Sequence, residues 1–317
     1  MKKSKLVMIG NGMAGVRTLE ELIKIAPEHY DITVFGAEPH PNYNRILLSP
    51  VLAGEQTLDE IVLNSFEWYA ENNITLHAGK KVTEVDRVKR IVRAVAADGT
   101  VTEAEYDRLL LCTGSNPFIL PIPGKDLEGV IAYRDIADTN AMIDAATKYK
   151  HAVVIGGGLL GLEAANGLML RGMTVSVVHV MPTLMERQLD VVAGGLLQKS
   201  LEERGLKFLM GAQTQQLLAG ENGRVKAIQF KDGSEVAADL VVMAVGIRPN
   251  IELARKAGIY CERGIVVSDT MQTYDGRIYA VGECVQHRRT CYGLVAPLFD
   301  QAKVCANHLA MKGFATY

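Results

Sequence analysis

The sequence lacks a run of basic residues and carries a net charge of −2 at pH 7. We therefore expect neither nucleic acid nor an anionic membrane as a partner. No stretch approaches the ~20 consecutive apolar residues of a membrane span. The start, Met1-Lys2-Lys3-Ser4-Lys5, resembles a secretory signal, but the apolar residues that follow end almost at once in a glycine turn without a small-residue cleavage site. This segment is interpreted as a first buried strand, and the protein is expected in the cytoplasm.

Cysteine is scarce, and its spacing excludes several kinds of redox and metal site. The five cysteines form neither a Cys-x-x-Cys nor a Cys-x-x-x-x-Cys pair. A redox-active disulfide, an iron–sulfur cluster and a zinc site are therefore not expected within this chain. The residues are interpreted as reduced, mostly buried thiols of a cytosolic protein, namely Cys112, Cys261, Cys284, Cys291 and Cys305.

Glycine, in contrast, is abundant, and two glycine-rich turns resemble each other. Gly10-Asn11-Gly12-Met13-Ala14-Gly15 follows the apolar residues 6–9, and Gly156-Gly157-Gly158-Leu159-Leu160-Gly161 follows the apolar residues 152–155. Glycines allow a tight turn and a close approach of pyrophosphate to the backbone, and the following helix directs its positive N-terminal end at the phosphates. A strand before the turn and a helix after it are the context that this motif requires. Two such turns predict two bound dinucleotides.

The elements that follow the two turns repeat the same plan. Each turn is followed by a helix, expected at 14–25 and 162–171, and by a strand, expected at 31–35 and 174–178. An antiparallel hairpin comes next, around Asp98-Gly99 in one copy and Asp232-Gly233 in the other. Each copy ends in an apolar strand with a Gly-x-x-Pro sequence, containing Thr113 and Gly114 in the first and Gly246 in the second. The chain is thus predicted to hold two βαβ nucleotide units.

A third apolar strand, residues 276–284, ends in Gly282 and Glu283 and is assigned to the first domain although it follows the second unit. An acid at the carboxyl end of a sheet strand lies where such folds bind cofactors. The predicted fold is α/β, with two Rossmann-like three-layer domains, the second inserted into the first. The expected boundaries are 1–118 and 247–317 for the first domain and 119–246 for the inserted one.

These features resemble the two-dinucleotide flavoproteins, which include pyridine-nucleotide-dependent disulfide reductases and the ferredoxin and rubredoxin reductases. Residues 38–52 and 179–190 are similar to the amino-terminal region of the large subunit of assimilatory NAD(P)H nitrite reductases. That family continues into a small C-terminal interface domain, iron–sulfur modules and a siroheme module, so that a truncated chain lacking the interface domain is expected here.

The resemblance implies that the first domain binds FAD. The pyrophosphate would lie on Gly10, Gly12 and Gly15, and Glu38 would accept hydrogen bonds from the adenosine ribose unless it is a solvated loop carboxylate. Glu283 would bind the ribityl chain, directly or through water, and the helix that begins near Val295 would face the pyrimidine side of the flavin. The other positions implied to contact FAD are Met13, Ala14, Arg45, Val82, Thr113, Gly114, Arg134 and Gly282, where surface arginines and a buried strand end are the alternative interpretations.

The resemblance also implies that the second domain binds NADH or NADPH, through Gly156, Gly158, Leu160, Gly161 and Gly246. The residue expected to contact the 2′ position of the adenosine ribose is His179, unless it only ends a strand. A neutral histidine ring does not repel a 2′-phosphate, and a protonated one would attract it. Tolerance of both nucleotides is therefore expected. Glu163 matches a glutamate near the nicotinamide that relatives pair with lysine, and that pair cannot form here because the loop carries Pro50.

The expected function is that of the FAD-dependent NAD(P)H-oxidising module of an assimilatory nitrite reductase. Its partners would be downstream iron–sulfur and siroheme modules or the small subunit of that enzyme. Hydride transfer depends on stacking and exclusion of water more than on a protein acid or base, so no catalytic residue and no metal ligand is predicted. A stand-alone rubredoxin or ferredoxin reductase is the alternative, and an FAD-binding sensor is an alternative of another class.

Overall fold

Two parallel sheets of five strands organise the chain, which a computed structural model describes over residues 3–317. The strands, in chain order, are β1 (Ser4–Ile9), β2 (Tyr30–Phe35), β3 (Asn42–Tyr43), β4 (Val62–Asn64), β5 (Ile74–His77), β6 (Lys80–Asp86), β7 (Ile91–Ala96), β8 (Val101–Glu105), β9 (Arg108–Leu111), β10 (Ser115–Pro117), β11 (Val130–Ala132), β12 (His151–Ile155), β13 (Thr174–His179), β14 (Lys207–Met210), β15 (Thr214–Ala219), β16 (Val225–Phe230), β17 (Glu235–Ala237), β18 (Leu240–Met243), β19 (Ile247–Pro249), β20 (Ile265–Val267), β21 (Ile278–Ala280), β22 (Val285–His287) and β23 (Thr290–Cys291).

The α-helices, in chain order, are α1 (Met13–Ile25), α2 (Leu48–Ala53), α3 (Phe66–Glu71), α4 (Ile136–Lys148), α5 (Leu159–Leu170), α6 (Val191–Glu203), α7 (Glu252–Lys256) and α8 (Val295–Leu309), with 3₁₀ turns at Arg45–Leu47 and Asp59–Ile61. The helices after the glycine turns begin slightly earlier than predicted, because Gly12 and Gly158 themselves are the N-cap residues.

The first compact unit comprises Met1–Asn44, Val62–Asn116 and Arg248–Tyr317. Its sheet has the order β21-β9-β1-β2-β5, with parallel pairing throughout, and β6, β7 and β8 form a separate antiparallel sheet. The near-continuous apolar runs of β1 and β9 are buried on both faces, as in parallel sheets covered by helices. Helix α1 buries Val16, Leu19 and Leu22 at helical spacing, and α8 packs along α1.

The second compact unit comprises Arg45–Ile61 and Pro117–Ile247. Its parallel sheet has the order β11-β18-β12-β13-β14, and β15, β16 and β17 form an antiparallel sheet. The two units thus repeat one plan, in which β1, β2 and β9 correspond to β12, β13 and β18. They differ in the strand that adds to one edge of the sheet. That strand is β21, after the repeat, in the first unit and β11, before it, in the second.

The α/β fold with two Rossmann-like parallel sheets is confirmed, and strand β21 pairs with β9 in the first sheet as predicted. One segment differs from the expected arrangement, because Arg45–Ile61 lies in the second unit and not with residues 1–44. The reason is the apolar face of α2, where Leu48, Val51 and Leu52 are buried and where α5 packs against the helix.

Candidate functional site

The outer glycines of the first turn are required by the protein itself. Gly10 has φ +106°, which L residues rarely adopt, and a Cβ at this position would lie 2.1 Å from the carbonyl oxygen of Cys112. A Cβ at Gly15 would lie 2.9 Å from the Cys112 sulfur. Strand β9 therefore leaves no room for a side chain on this side of the turn. Burial raises the pKa of Cys112 well above its usual value, so its thiol stays protonated and serves as packing.

The middle glycine of the first turn is different. Gly12 has an extended backbone with φ −84°, and no atom lies within 4 Å of the position where its Cβ would be, so neither conformation nor packing requires glycine here. Gly12 is also the N-cap of α1 and supplies no side-chain cap. The first-turn N–H groups of a helix, here beginning at Met13 and Ala14, have no acceptor within the helix. The open space at the Gly12 Cβ position, next to these donors, would admit a pyrophosphate group.

The second turn repeats this geometry. Gly156 has φ +125° and a Cβ there would lie 2.2 Å from the carbonyl oxygen of Ala244, while a Cβ at Gly161 would lie 2.0 Å from the carbonyl oxygen of Gly156. Gly158, the N-cap of α5, again has an extended backbone and nothing within 4 Å of its Cβ position. Leu160, in the first turn of α5, is 36% exposed. The second turn therefore fits a second pyrophosphate.

Other residues predicted to contact FAD surround the first turn. Gly282, with φ +94°, follows the end of β21, and a Cβ there would lie 3.2 Å from the Cβ of Ala14. The N–H of Gly282 donates to Oε1 of the fully buried Gln301 at 3.0 Å. The structure thus brings the end of β21 to the start of α1. Glu283 comes next and accepts a hydrogen bond from the Ser115 hydroxyl, Oγ to Oε2 2.8 Å.

The remaining predicted positions of the first unit lie at element ends or on the antiparallel sheet. Glu38 follows β2 and accepts a hydrogen bond from the Tyr43 hydroxyl at 2.7 Å. Thr113 donates through its hydroxyl to the carbonyl oxygen of Asn250 at 2.6 Å, and the Asn250 N–H donates to the Gly114 carbonyl at 2.9 Å. These bonds close the turn after β9. Two further positions are Val82, buried in β6, and Val295, the first residue of α8.

The two arginines predicted to contact FAD, Arg45 and Arg134, belong to the second unit, whereas the other positions predicted to contact FAD belong to the first. Arg45 donates from Nη1 to the carbonyl oxygen of Arg134 at 2.5 Å. The N–H of Arg134 in turn donates to Oδ2 of Asp138 at 2.7 Å. Burial, together with the charge of Asp135, raises the pKa of Asp138 to about 6. Arg45 and Arg134 are thus held together at the N-terminal end of α4.

Glu163 is held by hydroxyl groups. Ser49 donates to Oε2 of Glu163 at 2.7 Å, and the Tyr133 hydroxyl lies 3.2 Å from the Ser49 oxygen and donates to it. Tyr133 is 1% exposed, and burial raises its pKa to about 12, so the hydroxyl keeps its proton. A chain of hydrogen bonds from Tyr133 through Ser49 therefore orients the Glu163 carboxylate.

His179 ends β13 and is 7% exposed, and both of its ring nitrogens have partners. Nδ1 accepts a hydrogen bond from the Gly157 N–H at 3.1 Å, and Nε2 lies 3.1 Å from Oε2 of Glu186. Because Nδ1 is an acceptor, the ring carries its single proton on Nε2 and is neutral. This arrangement fits the neutral form of the His179 ring, which does not repel a 2′-phosphate, and not the protonated form that would attract one. Gly246, which is also predicted to contact the nicotinamide nucleotide, has φ +106°. Its carbonyl oxygen accepts a hydrogen bond from the Phe118 N–H at 2.8 Å.

Several residues of this arrangement were missed from the sequence, among them Ser49, Glu186 and Asn250. Glu186 lies seven residues after His179 in a loop without regular periodicity, and Asn250 contacts Thr113 from 137 positions away. The available signal was the Leu48-Ser49-Pro50 sequence, where Pro50 excludes a lysine pair and the neighbouring Ser49 offers a hydroxyl.

Within residues 3–317, three or more His, Cys, Asp or Glu side chains do not gather as metal ligands would. Among the same residues, no helix has the length and apolar character needed to cross a membrane. All five cysteines are free thiols, and Cys112, Cys284 and Cys305 are buried.

Comparison with known proteins agrees with this geometry. Nitrite reductase (NAD(P)H) of Bacillus subtilis strain 168 is 55% identical over 98% of this chain, and the assimilatory nitrate reductase electron transfer subunit of the same organism is 51% identical over 98%. The chain spans only 38% and 39% of the lengths of these two relatives. The crystal structure of the ferredoxin reductase for the CYP199A2 system from Rhodopseudomonas palustris superposes with a TM-score of 0.89 at 27% identity, over 97% of this chain and 76% of that one. Residues 4–306 match the pyridine nucleotide-disulphide oxidoreductase family, and the chain therefore belongs to that family.

Proposed function

We propose that this chain is the FAD-dependent, NAD(P)H-oxidising module of an assimilatory nitrite reductase. The observation that carries the proposal is the pair of turns in which Gly12 and Gly158 leave open space before a helix N-terminus. Two such places in one chain suit a protein that holds two dinucleotides. The 55% identity to a nitrite reductase supports the assignment of the module to that class of enzyme.

In this proposal the first unit holds FAD. The donors at the start of α1 bind the pyrophosphate, and Glu38 accepts hydrogen bonds from the adenosine ribose. Tyr43 orients Glu38 through the hydrogen bond to its Oε2. Glu283, oriented by Ser115, accepts from the ribityl chain, and the start of α8 at Val295 faces the flavin, where its helix dipole favours negative charge.

The second unit binds the nicotinamide nucleotide at the start of α5. The carboxylate of Glu163, held by Ser49 and Tyr133, orients the nicotinamide end. Bound FAD would supply the redox chemistry, namely acceptance of a hydride from NAD(P)H and release of single electrons to an acceptor. The protein's part is to bind, align and exclude water, and none of its side chains needs to move a proton in that transfer.

The partners follow from the same proposal. They are NADH or NADPH as electron donor and the iron–sulfur and siroheme centres of a nitrite reductase, in further modules or in its small subunit, as acceptors. The process would take place in the cytoplasm.

Anaerobic reduction of the bound flavin tests this proposal. The purified chain, reconstituted with FAD, should lose its visible flavin absorbance on addition of NADH and regain it with ferricyanide. Gly158→Ala should retain FAD but reduce it far more slowly, because the added methyl group enters the open space where the nucleotide would lie. The proposal would be contradicted if neither NADH nor NADPH reduced the flavin bound to the wild-type chain. It would also be contradicted if the chain bound no FAD.

A stand-alone ferredoxin or rubredoxin reductase is the second candidate, favoured by the similarity to a ferredoxin reductase over 97% of this chain. Turnover with the acceptor separates the two. A dedicated reductase should reduce ferredoxin or rubredoxin as fast as it reduces ferricyanide. A module whose natural acceptor is part of a nitrite reductase should reduce ferredoxin or rubredoxin much more slowly. An FAD-binding sensor would show almost no turnover with either acceptor.

A further inference from the structure

We infer that Glu186, held in place by His179, is the residue that makes this chain select NADH over NADPH. The inference rests on the proposed function, since it concerns the nucleotide bound at the second glycine turn. The residue to which it assigns this role lies outside the glycine turn and beyond the strand end, so neither feature marks it in the sequence.

The loop that carries Glu186 is fixed to the middle of the second turn. Gly157 donates its N–H to Nδ1 of His179 at 3.1 Å and accepts at its carbonyl oxygen from the Met185 N–H, also at 3.1 Å. A Cβ at Gly157 would lie 2.7 Å from the His179 ring and 2.8 Å from the side chain of the fully buried Leu184. Glu186 is therefore placed beside the turn by the backbone bond of its neighbour Met185 and by the contact of its own side chain with His179.

The hydrogen bonds also fix the charge at this place. The neutral His179 donates from Nε2 to Oε2 of Glu186, so the histidine contributes no positive charge and the glutamate contributes a full negative one. The His179 side chain is 9% exposed, whereas that of Glu186 is 30% exposed. The buried ring thus acts as a positioning residue, and the carboxylate reaches solvent with a second oxygen that can accept another hydrogen bond.

The place of the pair along the fold decides which part of the nucleotide it meets. In a βαβ dinucleotide unit the residue at the end of the second strand, about 20 residues after the glycine turn, contacts the 2′ position of the adenosine ribose. His179 occupies that strand end. Its Nε2 is hydrogen-bonded to Glu186, which places the Glu186 carboxylate beside the same strand end. A carboxylate accepts a hydrogen bond from a 2′-hydroxyl and repels a 2′-phosphate. Arg187, the next residue, is exposed and is the cation that would oppose this effect.

Binding of two probes that lack the nicotinamide, ADP-ribose and 2′-phospho-ADP-ribose, tests the inference without relying on turnover. Titration calorimetry on the FAD-loaded chain should show ADP-ribose binding at least tenfold more tightly. Glu186→Gln should reduce that ratio about tenfold, and the same shift should appear in kcat/KM for NADH against NADPH. Glu203→Gln, which removes the same charge at an exposed position near the end of α6, is the matched control and should leave the ratio unchanged.

The role of His179 is tested by combining substitutions. His179→Ala should lower the ratio in the same direction as Glu186→Gln, and the double variant should show little further change, because the histidine acts through the glutamate. Glu186→Ala provides a second variant at the exposed loop position, with circular dichroism to establish that each protein is folded.

Three results would overturn the inference. They are tighter binding of the 2′-phosphorylated probe by the wild type, a ratio in both Glu186 variants equal to that of Glu203→Gln, and additive effects of the His179 and Glu186 changes. A folded wild type that binds neither probe would reject the proposed nucleotide site itself, which distinguishes failure of the function from failure of the selectivity mechanism.

Discussion

Single glycines in the two turns meet different demands. Gly10 and Gly156 adopt backbone angles with positive φ and touch the neighbouring strand ends, whereas Gly12 and Gly158 have ordinary extended angles and open space around them. At these two helix N-caps, a glycine that the protein's own packing does not require leaves room for a bound phosphate. The effect of one added methyl group on stability and on ligand binding therefore shows whether a glycine serves packing or binding.

We expect Gly156→Ala to destabilise the chain and Gly158→Ala to leave its stability nearly unchanged. The first substitution forces alanine into a left-handed region and against the Ala244 carbonyl, at a cost of about 1–3 kcal/mol. The second meets no atom of the described structure within 4 Å but should weaken binding of ADP-ribose. Urea unfolding and calorimetric titration measure the two effects. Equal stability of the two variants would contradict this division of roles.

At the scale of secondary structure elements, the contact between α2 and α5 places Ser49 next to Glu163. A Cβ at Gly167 of α5 would lie 2.7 Å from Cγ of the fully buried Leu52 in α2. Arg171 at the end of α5 donates to the carbonyl oxygens of Val51, at 3.0 Å, and of Leu52. These contacts close the end of α2 and hold its segment in the second unit.

Alanine at Gly167 and at Gly195 should have opposite effects on stability. Both glycines lie inside helices, where alanine is favoured by up to about 1 kcal/mol. At Gly195 of α6 nothing lies within 4 Å of the added Cβ, so the substitution should stabilise the protein. At Gly167 the collision with Leu52 should cost about 1–3 kcal/mol and outweigh that gain. Chemical unfolding of both variants checks this, and stabilisation by Gly167→Ala would show that α2 shifts without cost.

The capping box of α4 predicts a pH dependence of stability. Asp138 accepts from the N–H groups of Arg134 and Asp135, and burial with the neighbouring Asp135 charge raises its pKa from 3.8 to about 6. A carboxyl with a higher pKa in the folded chain binds more protons when folded. Its contribution to stability is therefore complete below about pH 4 and is lost as the pH rises through about 6.

We expect Asp138→Asn to stabilise the protein more at pH 7.5 than at pH 4.5. The neutral amide keeps an oxygen acceptor for the backbone N–H groups and removes the half-buried charge, and solvent screening limits the difference to about 1 kcal/mol. Denaturant unfolding of wild type and variant at both pH values measures it. A larger gain at pH 4.5 than at pH 7.5 would mean that the charged form is favoured in the folded state.

At the scale of the whole molecule, the duplicated plan could be predicted from the sequence because its signals are local. Glycine turns, apolar runs and Asp-Gly hairpins each have a short-range cause, and even the late strand β21 could be assigned to the first sheet from its terminal glycine and acid. The place of Arg45–Ile61 could not. It depends on Gly167 of α5 and on Arg171 just after that helix, both more than 110 positions from Leu52, and such contacts leave no periodic pattern.

The candidate site shows the same division between local and long-range causes. The turns were found from the sequence, whereas the partners that orient Glu163 and surround His179 were not. The neutral state of His179 depends on a backbone N–H from Gly157, 22 positions earlier, which composition does not reveal. The roles of the individual site residues remain predictions, which binding measurements on variants can test one residue at a time.

The most direct test of two separate dinucleotide sites is the binding stoichiometry of the chain. Titration should give one FAD and one ADP-ribose per chain, bound at the same time without competition. Gly12→Ala should reduce the affinity for FAD alone, and Gly158→Ala the affinity for ADP-ribose alone. Mutual displacement of the two ligands, or loss of both ligands through either substitution in a folded protein, would contradict two separate sites.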